Sequence, residues 1–154
     1  MKKNAVFLDR DGVLNKLVKR DGLLTSPRNL NELVLINNLN KIKSYSFNKS
    51  YELVVITNQP DISRKFIKTN DLILIHNYIG EITGIKHFYF CPHEAKSFCS
   101  CRKPQPGLIS QAAQELNLDL QKSFIVGDQK SDMLAGKKLG LIGIFVTNNN
   151  YETD

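Results

Sequence analysis

Apolar residues come along this chain in short unbroken runs: "AVFL" (5–8), "YELVVIT" (51–57), "KHFYF" (86–90), "SFIVG" (123–127) and "IGIFVT" (142–147). Runs of this length, bounded by turn residues, read as strands buried on both faces. Between them the apolar spacing becomes helical over 30–46, 64–83, 107–117 and 131–139. Pro106 falls at a first helical position, ahead of "GLISQAAQEL". Strand and helix in alternation predict right-handed βαβ crossovers. The expected fold is α/β, a three-layer Rossmann-like arrangement with a central parallel sheet and helices on both faces.

At 154 residues and 42% hydrophobic content the chain suits one domain, placed at 1–148, with a polar tail at 149–154 expected to fray. Neither a long apolar segment nor a leader-like start interrupts the pattern, so a soluble cytoplasmic protein without membrane contact is expected. The net charge of +6 is spread along the chain without a basic run interleaved with aromatics. No nucleic-acid partner is expected on that ground, and a monomer is expected.

In an open α/β sheet, ligands bind beyond the carboxyl ends of the strands. That rule selects Asp9 and Asp11 after the first strand, Thr57 and Asn58 at the end of the second, and Asp128 after the fourth. Two carboxylates held close together resist joint ionisation unless a cation or a shared proton intervenes. Mg²⁺ held by Asp9, the Asp11 backbone carbonyl and Asp128 meets that need, although "DRDG" reads equally well as a tight turn with solvated acids. A calcium loop fits worse, since Gly12 is fourth and Arg20 twelfth in the segment starting at Asp9.

The 3 cysteines crowd into "CPHEAKSFCSC" (91–101), where Cys91, His93, Cys99 and Cys101 form a Cys-x-His-x5-Cys-x-Cys set. Three thiolates and an imidazole suit a closed tetrahedral Zn²⁺ site, against the plainer reading of inert buried cysteines beside a chance histidine. His76 and His87 have no partner pattern and read as structural.

The ordered series "FLDRDGVLN", "VVITNQP", "CRKPQPG" and "VGDQKSD" resembles the four-motif signature of the haloacid dehalogenase-like phosphohydrolases. The cysteine loop just before Arg102-Lys103-Pro104 is similar to that of the D-glycero-D-manno-heptose 1,7-bisphosphate phosphatases and their histidinol-phosphate phosphatase relatives. The resemblance implies a cap-poor phosphomonoesterase acting on a small phosphorylated sugar or metabolite, with removal of the 7-phosphate of the heptose bisphosphate as the leading reaction.

By the same resemblance, Asp9 is the nucleophile that forms an aspartyl-phosphate and Asp11 the general acid and base. Thr57 and Lys103 hold and neutralise the transferring phosphoryl group, and Asp128 holds Mg²⁺. Asn58, Gln59, Arg102, Lys103 and Gln129 face the substrate, while Asp132 supports the helix after Asp128. Histidinol phosphate, nucleic-acid 3′-phosphates and a phospho-accepting module without turnover are the alternatives.

The chain departs from the heptose enzymes at "TSPRNL" in the flap over 16–30, at Pro60-Asp61 and at Gln129, which stands where a lysine is frequent.

Overall fold

The computed structural model describes residues 2–45 and 50–147. Strands β1 (Asn4–Leu8), β4 (Tyr51–Asn58), β5 (His87–Cys91), β6 (Phe124–Gly127) and β7 (Ile142–Phe145) form one sheet in the order β5-β4-β1-β6-β7. Every neighbouring pair is parallel. The remaining elements are a hairpin of β2 (Val18–Arg20) and β3 (Leu23–Thr25) and helices α1 (Lys41–Tyr45), α2 (Thr69–Thr83), α3 (Gly107–Glu115) and α4 (Lys130–Lys137). The tail expected at 149–154 lies outside the described residues. Among the described residues no helix is long and apolar enough to cross a membrane.

Side chains alternate across a strand, so each continuous apolar run feeds two cores. Phe7, Val54, Ile56 and Ile125 pack on one face with Ile109 and Ala112 of α3 and Ala135 of α4. Leu8 and Val55 point the other way, onto Leu72, Ile75 and Ile79 of α2. Two-faced burial stops at the edge of the sheet, where Ile142, Ile144 and Phe145 of β7 are about half exposed among the described residues.

Two helical expectations need correction. Over 30–46 a 3₁₀ turn at Leu30–Glu32 and the short α1 replace one helix. The backbone between them is used elsewhere: Lys16 N–H donates to the Val34 carbonyl (2.8 Å) and Ile36 N–H to the Leu14 carbonyl (3.0 Å). Those bonds hold 34–36 extended against 14–16. Residue 46 lies outside the described residues.

Over 64–83 the helix starts only at Thr69. Before it, Lys65 takes the left-handed conformation (φ 62°), and the Asp61 carbonyl accepts from Phe66 N–H at 2.9 Å. α2 then ends at Gly84 with φ 78°, a left-handed cap that glycine adopts without strain.

The hairpin β2–β3 lies inside the flap, where the sequence suggested no strands. Arg20 ties it down by pairing with Glu32 and Thr25. Further along, Arg28 reaches Asp61 at 2.8 Å and covers the Phe66 ring at 4.2 Å. Asp61, which is 5% exposed, also receives Arg64 at 3.3 Å, and Arg64 continues to Glu94 at 3.1 Å. Two of the unusual residues, Arg28 and Asp61, are thus each other's partner.

Removing Asp61 leaves Arg28 without its carboxylate and opens a gap beneath the flap. Asp61→Ala is expected to lower the unfolding free energy by about 1–3 kcal/mol in urea titration. An unchanged midpoint would show that the flap does not depend on this pair.

Candidate active site

The parallel register puts the carboxyl ends of β1, β4, β5 and β6 along one edge. Leu8 pairs with Val55 and Val126, and Asn58 with Cys91, so the residues following each strand emerge side by side. They border a cleft of about 370 Å³ lined by Asp9, Asp11, Asn58, Arg102, Lys103 and Asp128, with Gln129 and Asp132 beside them.

At its floor Lys103 is buried, only 4% exposed. It donates to Asp9 Oδ1 at 2.8 Å and to the Ile56 carbonyl at 3.0 Å, and it pairs with Asp132 Oδ1 at 2.6 Å. Burial works to lower its pKa, but Asp9 and Asp132 outweigh burial and raise it above the ordinary lysine value. Asn58 fixes the lysine from behind: its side-chain amide donates to the Lys103 carbonyl (3.2 Å) while its carbonyl accepts from Lys103 N–H (3.1 Å).

Asp9 emerges directly from β1, with its N–H on the Val126 carbonyl at 2.9 Å. Its Oδ1 also accepts from Arg10 N–H at 2.8 Å. Burial raises its pKa to about 7; Lys103 opposes the rise, and the nearby Asp132 and Asp11 add to it.

Carboxylate oxygens of Asp9, Asp128 and Asp132 all lie within 4.8 Å of one another. One ammonium does not neutralise three buried carboxylates, so the donor set fits a hard divalent cation. Two glycines permit the crowding. A Cβ on Gly12 (φ 88°) would lie 2.1 Å from Asp128 Oδ2, and one on Gly127 would lie 2.3 Å from the Asp132 Cβ.

Asp132 is the better supporter than ligand. Its Oδ1 faces Lys103, and its Oδ2 accepts from Gln129 N–H at 3.0 Å in a capping box that starts α4. Gln129 therefore lines the cleft while its backbone, also accepting from Asp132 N–H at 3.0 Å, starts the helix.

Asp11 sits in a different environment. Its Oδ1 accepts from Arg10 Nε (3.2 Å), Arg10 Nη2 (2.9 Å) and Asn15 Nδ2 (2.9 Å), and its Oδ2 from Ser26 Oγ (2.7 Å) and Gln59 Nε2 (2.8 Å). Burial pushes this carboxyl up, but Arg10, Asn15 and Ser26 more than offset it and hold it below the usual range. Two aspartates two residues apart are thus driven in opposite directions.

Thr57 and Gln59 lie under the cleft, each 1% exposed, with Gln59 Nε2 donating to Thr57 Oγ1 at 2.9 Å. Arg102 lines the cleft and anchors on the His93 carbonyl at 3.2 Å. Three contributors were not singled out in the sequence: Arg10, Asn15 and Ser26. Arg10 and Asn15 flank the motif in "DRDGVLN", where a charge between two acids was the available signal; Ser26, on the flap, had none.

The second cluster closes the end of β5. Cys91 Sγ lies 3.6 Å from Cys99 Sγ and 2.9 Å from Cys101 Sγ, and Cys99 and Cys101 are 3.5 Å apart. His93 Nδ1 completes the set at 3.5 Å from Cys91 and 3.3 Å from Cys101. Two sulfurs bound to one zinc at about 2.3 Å and a tetrahedral angle are roughly 3.8 Å apart. The four donors fit such a site once the Cys91–Cys101 pair opens.

An acid pair after β1, a buried lysine and a further acid group after β6 together define a haloacid dehalogenase-like phosphohydrolase. Consistent with this, the HAD-hydrolase-like family model matches residues 100–154.

Over 138 residues the chain is 35% identical to the D-glycero-beta-D-manno-heptose-1,7-bisphosphate 7-phosphatase of Helicobacter pylori strain J99, covering 86% of this chain and 76% of that protein. It is 31% identical over 164 residues to the alpha-anomer-named counterpart of Photorhabdus laumondii, covering 99% of this chain and 86% of that protein. The D,D-heptose 1,7-bisphosphate phosphatase of B. bronchiseptica, solved with magnesium and phosphate, superposes with a TM-score of 0.78 at 26% identity, over 91% of this chain and 78% of that one. The chain belongs to the heptose bisphosphate phosphatase family of the haloacid dehalogenase-like hydrolases.

The Asp9 carboxyl titrates near 7 in the fold against 3.8 ordinarily, so between those values the folded chain holds a proton that the unfolded chain has released. Its contribution to stability therefore falls as pH rises through that interval. A divalent cation held by Asp9 would compete with this proton. Thermal unfolding of metal-stripped protein is expected to shift upward on adding the cation by more at about pH 8 than at about pH 5. Equal shifts at both would remove Asp9 from the cation site.

Proposed function

We propose that this chain is a magnesium-dependent phosphomonoesterase that removes the 7-phosphate of a D-glycero-D-manno-heptose 1,7-bisphosphate through an aspartyl-phosphate. The observation that carries the reading is the opposite treatment of Asp9 and Asp11 around one buried ammonium: one carboxylate is set against Lys103, the other is gripped by Arg10 and Asn15.

Among the described residues the hydrogen bonds to Asp9 fall on Oδ1, so Oδ2 is the attacking oxygen. It forms a bond to phosphorus as the bond from phosphorus to the sugar oxygen breaks. Lys103 stays beside the nucleophile and offsets the charge gathering there. Thr57 Oγ1 already accepts from Gln59, which leaves its hydroxyl proton for a phosphoryl oxygen.

Arg10 and Asn15 favour the carboxylate form of Asp11, so Asp11 takes up its proton beside the negatively charged phosphate ester, which opposes ionisation, and then gives it to the leaving alkoxide. That proton resides on Oδ2: the groups on Oδ1 are all pure donors, whereas on Oδ2, beside the Gln59 amide, the Ser26 hydroxyl can turn from donor to acceptor. Asp11, now a carboxylate, next takes a proton from water, and the hydroxide attacks phosphorus. The bond to Asp9 then breaks, inorganic phosphate leaves and both carboxyls are restored.

Asp9, Asp128 and the Asp11 backbone carbonyl would hold Mg²⁺, which supplies charge neutralisation to the phosphoryl oxygens. Cys91, His93, Cys99 and Cys101 would hold Zn²⁺ as a brace, with no position left open for substrate. That brace fixes the loop carrying Arg102 and Lys103. The relatives named for the heptose bisphosphate support the choice of substrate over histidinol phosphate.

Phosphate release is expected from the heptose bisphosphate in preference to histidinol phosphate or a 3′-phosphorylated oligonucleotide. Asp9→Asn is expected to cost more than about 10³-fold in kcat, since no covalent route remains. Full activity in that variant would end the nucleophile assignment. Purified protein is expected to carry one zinc per chain, and Cys99→Ser to lose it together with thermal stability.

A further inference from the structure

His76 is a titratable side chain that none of the steps above uses. It sits on α2, 5% exposed, with its ring stacked on Phe88 of β5 at 4.9 Å and 21° and tilted against Phe90 at 6.1 Å. Its Nε2 lies 3.2 Å from Arg10 Nη1. Arg10 is fully buried, and its other side-chain partner among the described residues is Asp11.

A guanidinium donates and never accepts, so a hydrogen bond between these two requires a lone pair on Nε2. His76 is then neutral, with its proton on Nδ1. Its environment agrees: burial first, and then the positive charge of Arg10, lower its pKa to about 3.

The grip of Arg10 on Asp11 has an unusual form. Arginine and carboxylate commonly pair fork to fork, two nitrogens on two oxygens. Here Nε and Nη2 both land on Oδ1, at 3.2 and 2.9 Å, and neither reaches Oδ2. With Nη1 held from behind by His76, the guanidinium cannot slide across to claim the second oxygen. Oδ2 is left to Ser26 and Gln59, which is where a transferable proton is needed.

We infer that His76 is a positioning residue for catalysis: its Nε2 lone pair fixes Arg10 so that Arg10 braces one oxygen of Asp11 and leaves the other, Oδ2, to Ser26, Gln59 and the reacting groups. The inference rests on Asp11 being the acid of the proposed reaction. Replacing His76 with an apolar side chain leaves Arg10 Nη1 buried without an acceptor. The guanidinium then shifts toward the fork-to-fork pairing and Asp11 becomes a poorer proton donor.

The test compares leaving groups. A sugar alkoxide needs a proton as it departs; p-nitrophenolate departs without one. His76→Phe, which keeps the stacking on Phe88, is expected to lower kcat/KM for the sugar phosphate by about 10-fold, part of the rate that a general acid supplies. For p-nitrophenyl phosphate the loss is expected to stay within about 2-fold, by the same reasoning. His76→Gln, which returns an acceptor, is expected to recover most of the sugar-phosphate rate.

His76→Met and His76→Gln are similar in length and differ in the acceptor, so this pair answers the question even where the phenylalanine variant does not fold. Equal losses on both substrates, or no difference between Met and Gln, overturn the positioning role. If those results appear while Asp11→Asn is still slow on the sugar phosphate, the proposed function stands and this inference alone falls. Wild-type protein that releases phosphate from neither ester overturns both.

Discussion

A single ammonium organises the catalytic edge of this molecule. Lys103 reaches from the loop after the cysteine cluster into a site made by β1, β4 and the start of α4, and there it meets Asp9, the Ile56 carbonyl and Asp132. A buried charge is costly unless its partners are in place, and the same holds for each carboxylate around it. Every element that supplies a partner is therefore held by the others. The capping box of α4, the Asn58 bracket behind the lysine and the glycine at position 127 all serve to keep that arrangement closed.

Much of this was legible in the sequence because the chemistry follows strand ends. An apolar run fixes where a parallel strand stops, and the residues just beyond it must share one edge of the sheet. Asp9, Asn58 and Asp128 were found that way, and the cysteine loop by the spacing of its donors. Helix boundaries were less legible. Residues 34–36 carry a helical pattern of apolar positions but spend their backbone hydrogen bonds on 14–16, a choice made by tertiary contact and invisible to periodicity.

The support around Asp11 was hidden for a different reason. Arg10, Asn15, Ser26, Gln59 and His76 come from the motif itself, the flap, the end of β4 and the far helix. No local spacing links such residues. Arg28 and Asp61 are a related case: each looked like a departure from the family pattern when read alone, and together they form an ion pair that pins the flap to the loop after β4.

The flap that borders the cleft also carries Ser26, whose hydroxyl donates to Oδ2 of Asp11 at 2.7 Å. The wall of the cleft and the surroundings of Asp11 are consequently written on the same few residues. A lineage that reshapes this segment alters the hydrogen bonding of Asp11 in the same stroke, so the shape of the cleft and the setting of its acid pair cannot drift independently.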